Sequence, residues 1–307
     1  MGAFIVRRIG QGLFVVFAAT VVVFLVTRLF TDPVDFILPL EATEAERAAR
    51  EAELGFDRPI IVQFGDYLTD VVRLDFGESL WQPGRSTMEI VAQTLPKTLQ
   101  LVAAGMTLAV VLAVPIGMIA ALRPGGILDR ALVTLSLIGL SMPQFFVGLM
   151  LIIVFAVQLQ WLPVGGYGGL DHLVLPAIAL ALPALGRLTM VVRSAMIDEL
   201  NSQYVRAAKA KGMARRLVVG KHAFRNAGVQ VLTMSGWEIT RALAGFTVVV
   251  EKVFAWPGFG LFALEAIQRR DLFLLSTIVL VASVLVVVVN VIVDILYKWI
   301  DPRITLS

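Results

Sequence analysis

Six stretches of this chain are too long and too apolar for a soluble enzyme built around a core. They cover residues 9–30, 98–122, 129–158, 173–192, 229–250 and 272–299. At ~1.5 Å per residue, about 22 residues of α-helix reach ~33 Å, enough to cross the hydrocarbon layer of a bilayer. Of 307 residues, 58% are hydrophobic and 16% charged, and mean hydropathy is +0.85. The expected fold is all-α, a polytopic membrane protein with six transmembrane helices. The first run is longer than the h-region of a signal peptide, and no small-x-small site follows it closely, so a retained helix is expected.

Orientation follows from the charges between the runs. Loop 193–228 carries Arg193, Arg206, Lys209, Lys211, Arg215, Arg216, Lys221 and Arg225 against only Asp198 and Glu199. The facing loops, 158–172 and 251–272, carry Lys252, Arg269 and Arg270. Lys and Arg collect on the cytoplasmic side, so loop 193–228 is expected there, with both termini. The chain then divides into a first transmembrane helix (1–30), an extracytoplasmic loop (31–97) and a five-helix core (98–307). In the loop, Thr43-Glu-Ala-Glu46 predicts a capping box with Glu46/Arg50 and Arg47/Glu51 pairs behind it. A second short helix is predicted from Pro59, with Ile60, Ile61, Phe64, Tyr67, Leu68, Val71 and Val72 on one side. In the spans, Pro115 and Pro143 predict kinks. Trp161 is an expected interface anchor, and Arg187 is expected to snorkel toward the cytoplasmic surface.

The polar stretch Gln203-Tyr-Val-Arg-Ala-Ala-Lys-Ala-Lys-Gly-Met213 stands out in the cytoplasmic loop. Tyr204, Ala207, Ala208 and Lys211 recur at i, i+3, i+4 and i+7 and predict one helical face. Ser202 can cap its start, and Gly212 can take the left-handed conformation that ends it. Small residues let another backbone approach, and Tyr204 offers an amphipathic anchor. A loop that only set topology would need charge, but neither an alanine face nor a terminal glycine.

Arg206-Ala-Ala-Lys-Ala-Lys-Gly212 resembles the EAA loop of ABC-importer permeases, in the form of the dipeptide/oligopeptide/nickel branch. Two departures are visible: Arg206 stands where the glutamate would be, and the later isoleucine and Leu-Pro are missing around His222 to Arg225. Further resemblances lie in Leu54-Gly-Phe-Asp-Arg-Pro59 with Leu74-Asp-Phe-Gly-Glu-Ser79, in Ser141-Met-Pro-Gln-Phe-Phe-Val-Gly148, and in Leu159-Gln-Trp-Leu-Pro-Val-Gly-Gly166. Others are Glu251-Lys-Val-Phe-Ala-Trp-Pro-Gly-Phe-Gly260 with Arg270-Asp271, and Ile300-Asp-Pro-Arg303. The resemblance implies a permease of a prokaryotic cytoplasmic membrane, forming half of a pathway with a homologous second subunit. Gln203, Tyr204, Arg206, Ala207, Ala208, Lys209, Lys211 and Gly212 would form the coupling helix that seats on an ATPase. Two ATP-binding subunits or domains would hold ATP and Mg, and an extracytoplasmic binding protein would deliver substrate. Peptides are the implied substrate class, with nickel chelates and glutathione as alternatives.

The residues themselves argue against chemistry within this chain. It has no cysteine, only two histidines, and no Gly-x-x-x-x-Gly-Lys-Ser/Thr loop for phosphates. Ser136, Ser141, Ser235, Ser276 and Ser283 have no histidine at membrane depth to activate them. A transport subunit that binds no cofactor, metal or nucleic acid is expected. Glu238 and Arg241, spaced i, i+3 in the fifth apolar run, are the exception to its apolarity. Each charge costs about 2.5–3.5 kcal/mol at mid-span, so they either pair or face a pathway. Pro143, Gln144, Glu238 and Arg241 are the candidates for the translocation path or gate. Two other classes remain open at this point: an ion-coupled carrier using Glu238 and Arg241 as a relay, and a membrane scaffold with a docking loop.

Overall fold

The computed structural model describes residues 2–29, 43–53, 55 and 57–300. In chain order the helices are α1 (Gly2–Leu29), α2 (Glu44–Glu53), α3 (Ile60–Arg73), α4 (Thr87–Ala121), α5 (Ile127–Ser141) and α6 (Gln144–Leu151), which continues as a π-helical segment Ile152–Gln158. They go on through α7 (Leu170–Leu200), α8 (Gln203–Ala210) and α9 (Arg215–Leu217) with a π segment Val218–Ala223. Last come α10 (Phe224–Arg241) with a π segment Ala242–Phe246, α11 (Thr247–Val253), α12 (Phe259–Gln268) and α13 (Leu272–Ile300). Residues 30–42, Leu54, Phe56 and 301–307 lie outside the described residues, and with them part of loop 31–97 and most of the motif Ile300-Asp-Pro-Arg303.

Among the described residues, α1, α4, α7 and α13 are each long and apolar enough to cross a membrane. The pair formed by α5 and α6 with its continuation makes a fifth if counted as one span, bent by 100°. Its break falls at Met142 and Pro143, where extended backbone replaces the helix and Pro143 has no N–H to continue it. The run 229–250 is not one helix. Gly245, at φ 123°, interrupts it between α10 and α11, a conformation closed to other residues. Helix α4 runs unbroken through Pro115 and begins at Thr87, well before residue 98. Helix α7 extends past residue 192 to Leu200, so the loop predicted over 193–228 begins later than expected.

Two compact units are formed by residues 1–98 with 257–288, and by residues 99–256 with 289–307. In the first, α3 lies against α1 through ring pairs Phe24–Phe64 at 5.0 Å and Phe24–Tyr67 at 5.5 Å. The predicted stripe on α3 therefore divides: Phe64 and Tyr67 turn to α1, while Ile61 and Val72 remain 81% and 83% exposed. The capping box forms, with Thr43 N donating to Glu46 Oε2 at 2.8 Å and Glu46 N to Thr43 Oγ1 at 3.3 Å. Arg47 pairs with Glu51 at 3.2 Å as predicted. Arg50 instead reaches Glu53 at 2.6 Å, because the cap already occupies Glu46. Asp271 is fully buried and accepts from Ser79 Oγ (2.5 Å), Trp81 N (3.1 Å) and Leu274 N (3.0 Å), capping α13 and pinning the 79–81 turn.

The second unit is built on close helix crossings. A β-carbon at Gly117 would meet Val192 Cβ at 2.6 Å and the Thr189 carbonyl at 2.8 Å, and one at Gly186 would meet the Ser136 carbonyl at 2.5 Å. Small residues thus bring α4 and α5 onto α7, the packing that apolar surroundings favour. Arg193 on α7 holds Asp129 on α5 through Nε and Nη2, at 2.5 and 2.7 Å, and Gly125 N adds a bond at 2.7 Å. Three separated motifs meet at Phe254. Gly148 packs beneath its ring, Gly165 leaves no room for a side chain against its carbonyl, and Gly166 N donates to that carbonyl at 2.7 Å. Trp256 beside it is fully buried under the edge of Tyr167, ring centroids 5.0 Å apart.

Gly117→Ala should destabilise the purified protein by about 1–3 kcal/mol through overpacking. Gly228→Ala, where a β-carbon meets nothing within 4 Å, should instead add about 0.5–1 kcal/mol of helix stability. Thermal unfolding in detergent measures both, and equal effects would remove the close-crossing argument.

Candidate functional site

Helix α8 has an inner and an outer side. Val205 and Ala208 are buried in a cluster with Val192, Met196, Val218 and Ala227, while Gln203, Tyr204, Arg206, Ala207, Lys209 and Lys211 are exposed. The predicted face is therefore split, since Ala208 points inward and Ala207 outward. Gly212 ends the helix at φ +74°, with Gly212 N bonded to the Lys209 carbonyl at 3.0 Å and Met213 N to the Ala208 carbonyl at 3.3 Å. Ser202 does not cap it: its hydroxyl donates to the Glu199 carbonyl at 2.6 Å instead.

Tyr204 keeps its ring edge exposed, but its hydroxyl is used within the chain. It donates to the Glu199 carboxylate and accepts from Asn226 Nδ2 at 2.8 Å. Burial and the adjacent Glu199 raise the phenol above its ordinary 10.0. Glu199 and Asn226 were not singled out from sequence, where Glu199 counted only as an acidic residue of loop 193–228. Together they tie α8 to the ends of α7 and α10. Lys209 also borders a cavity of about 420 Å³ shared with Asn201 and Arg215.

A second cavity, of about 250 Å³, brings together Gln144, Glu238 and Arg241 among walls that include Met106 and Leu180. Pro143 is not among its lining residues; it borders a different cavity beside Phe145 and Phe146. The main partner of Glu238 is not Arg241. Arg187 on α7 turns inward rather than snorkelling and engages both carboxylate oxygens, Nη2 to Oε2 at 2.8 Å and Nε to Oε1. Arg241 stands 3.8 Å from Oε2 and lies over the Trp237 ring, 4.7 Å from its centroid. Glu238 is 3% exposed. Helical spacing pointed to the i, i+3 neighbour, whereas the bidentate fork needs an approach that only a facing helix offers. Among the described residues no group of three or more His, Asp or Glu side chains could hold a metal. The chemistry present is ion pairing and hydrogen bonding at depth in the unit.

Residues 113–306 match the family described as binding-protein-dependent transport system inner membrane component. The chain is 37% identical over 313 residues to the probable peptide ABC transporter permease protein y4tP of Sinorhizobium fredii, covering 99% of each. It is 35% identical over 315 residues to the oligopeptide transport system permease protein AppB of Bacillus subtilis, again covering 99% of each. Its fold is shared with inward-facing structures of the MetNI methionine ABC transporter, with TM-scores of 0.59 and 0.60 at 18% identity, over 69% of this chain and 97% of that one.

Glu238→Gln should strand Arg187 and lower stability by about 3–5 kcal/mol, as loss of one partner of a buried pair does. Arg241→Gln should have a much smaller effect, since that contact is longer. The swap Arg187→Glu/Glu238→Arg should recover part of the loss in folded yield and unfolding temperature. Equal losses for Glu238→Gln and Arg241→Gln would overturn this ranking.

The raised Tyr204 value makes a second, independent prediction. Its stabilising contribution should be complete below pH 10 and disappear only as pH rises through the raised value. The phenolate absorbance missing from Tyr204→Phe should therefore titrate above the ordinary phenol value.

Proposed function

Because this chain belongs to the family of binding-protein-dependent transport system inner membrane components, we propose that it is the permease subunit of an ATP-driven importer of peptides. The peptide assignment rests on the names of its relatives. In this reading the chain contributes six spans, with the bent α5–α6 pair as the third and the run interrupted at Gly245 as the fifth. Both termini are cytoplasmic, and the chain lies in the cell membrane of a prokaryote. It lines half of the pathway beside a homologous permease, with two ATP-binding subunits or domains below and a substrate-binding protein outside. ATP and Mg are held by those partners.

The observation that carries this reading is the two-sided character of α8. Gln203, Arg206, Ala207, Lys209 and Lys211 offer an exposed basic surface with a small residue at its middle. Val205 and Ala208 lock the opposite side into the bundle, and Gly212 ends the helix. A push from an ATPase on that surface travels through the Val205–Ala208 packing and the Tyr204–Glu199 bond to α7. The same helix carries Arg187, which holds Glu238 on α10, so the coupling helix and the Gln144–Glu238–Arg241 cavity are joined by one rigid element. That cavity, with the Pro143 break bordering α6, is the proposed translocation path and gate.

Ala207→Glu places charge and bulk at the centre of the exposed surface, and Gly212→Val opposes the left-handed turn. In the reconstituted complex both should retain the folded permease yet reduce substrate-stimulated ATP hydrolysis and uptake by about tenfold or more, the loss of about 1.4 kcal/mol of coupling. Normal uptake by both would remove the coupling role.

Topology has its own measurement in this cysteine-free chain. Glu46→Cys should react with an impermeant thiol reagent in spheroplasts, and Lys209→Cys only after the membrane is opened. Reversed accessibility would invert the orientation and with it the docking reading.

A further inference from the structure

The cavity of about 420 Å³ beside α8 lies where several segments end together: α4 at Leu122, α7 at Leu200 and Asn201, the last turn of α8 at Lys209, and the start of α9 at Arg215. Much of its wall is apolar, Leu122, Leu200 and Val219 included, and its charged lining residues are two cations, Lys209 and Arg215. Both are exposed, and neither side chain makes a hydrogen bond or ion pair among the described residues. The acids nearest along α7 do not neutralise them. Glu199 is held by Tyr204, and Asp198 does not line the cavity. The ends of α4 and α7 are closed by backbone, Leu122 N on the Ile119 carbonyl and Asn201 N on the Ile197 carbonyl, each at 3.2 Å, so neither cation is needed there as a cap.

The surroundings place this cavity at a membrane face. Residues 122–126 join two apolar helices, α4 and α5, and so turn at one surface of the bilayer. Ile127 and Leu128, directly after that turn, are 90% and 58% exposed, which suits side chains that meet lipid rather than water. Two unneutralised cations against an apolar wall favour an anion, and a phosphate offers oxygens to both. A small soluble anion would leave the apolar wall bare, and an apolar molecule would leave the cations unmatched. We propose that this cavity binds the headgroup of an anionic phospholipid, with Lys209 and Arg215 on its phosphate and the glycerol and upper chain against Leu122, Leu200 and Val219. Seated there, the lipid braces α8 against α4 and α7. The site needs only that the chain spans a membrane and is independent of the solute it carries.

In the test, the full chain in a neutral detergent is titrated with phosphatidylglycerol or with phosphatidylcholine, and retained lipid is counted by native mass spectrometry. One phosphatidylglycerol should be held at about tenfold lower concentration than phosphatidylcholine. Lys209→Gln and Arg215→Gln should each weaken that binding about fivefold, and the double variant about twenty-five-fold. Lys221→Gln/Arg225→Gln removes as much charge from exposed positions outside the cavity lining, and should leave the binding unchanged. Asn201→Trp fills the space without altering charge and should also lower retention of phosphatidylglycerol. No preference for phosphatidylglycerol, or equal losses in the two double variants, would overturn the site. Displacement of the lipid by inorganic phosphate would make a free anion the occupant, and its release when the ATP-binding subunits assemble would give the cavity to that partner. Either result would overturn the lipid assignment.

Discussion

A carboxylate without a partner at membrane depth is costly, so Glu238 can stand in the apolar interior only where a cation reaches it with good geometry. Arg187 supplies that cation from the facing helix, donating from Nε and Nη2 to the two carboxylate oxygens. Much of the second unit is arranged consistently with this contact. Helix α7 passes close to α10 at Arg187, to α5 at Gly186 and Arg193, and to α4 at Val192, where Gly117 of α4 is the small residue. It is also the helix whose apolar segment is most buried among the described spans.

Two of the ion pairs described in this unit serve different ends. Asp129–Arg193 is completed by a backbone N–H from the Gly125 turn, which satisfies the carboxylate further and ties the loop before α5 to the end of α7. Arg187–Glu238 borders a cavity, and a second guanidinium, that of Arg241, stands 3.8 Å from Glu238 Oε2. Pairs of this kind add little net stability compared with apolar packing, and their loss is expensive mainly because one charge is left behind. Their use here is to fix which helix faces are opposed.

The recurring motifs acquire a physical account from their meeting point. Ser141-Met-Pro-Gln-Phe-Phe-Val-Gly148, the Gly165-Gly166 turn and the segment leading to Trp256 are far apart in the chain, and each sends a glycine or an aromatic ring to Phe254. Gly165 is required because the Phe254 carbonyl occupies the place of a β-carbon. The motifs are therefore joint packing elements, and the exposed basic surface of α8 lies elsewhere.

Sequence periodicity and local chemistry determined much of this protein. The long apolar runs, the capping box at Thr43, the break at Pro143, the short helix ending at Gly212 and the presence of charge in the 229–250 run all follow from interactions within a few residues. Family likeness to ABC-importer permeases was legible separately, as a resemblance of several motifs. Tertiary structure alone decided which groups pair. Spacing placed Arg241 beside Glu238, yet the carboxylate bonds to Arg187, because a bidentate fork must approach in the plane of the carboxylate and a neighbour one turn along the same helix cannot do so well. The same holds for α8, where spacing grouped Ala207 with Ala208 but contact with Val192 and Val218 turned only Ala208 inward. It holds too for Tyr204, an exposed aromatic in sequence whose hydroxyl is fixed by Glu199 and Asn226. Local rules act along one element, whereas the direction from which a partner arrives is set by how the elements cross.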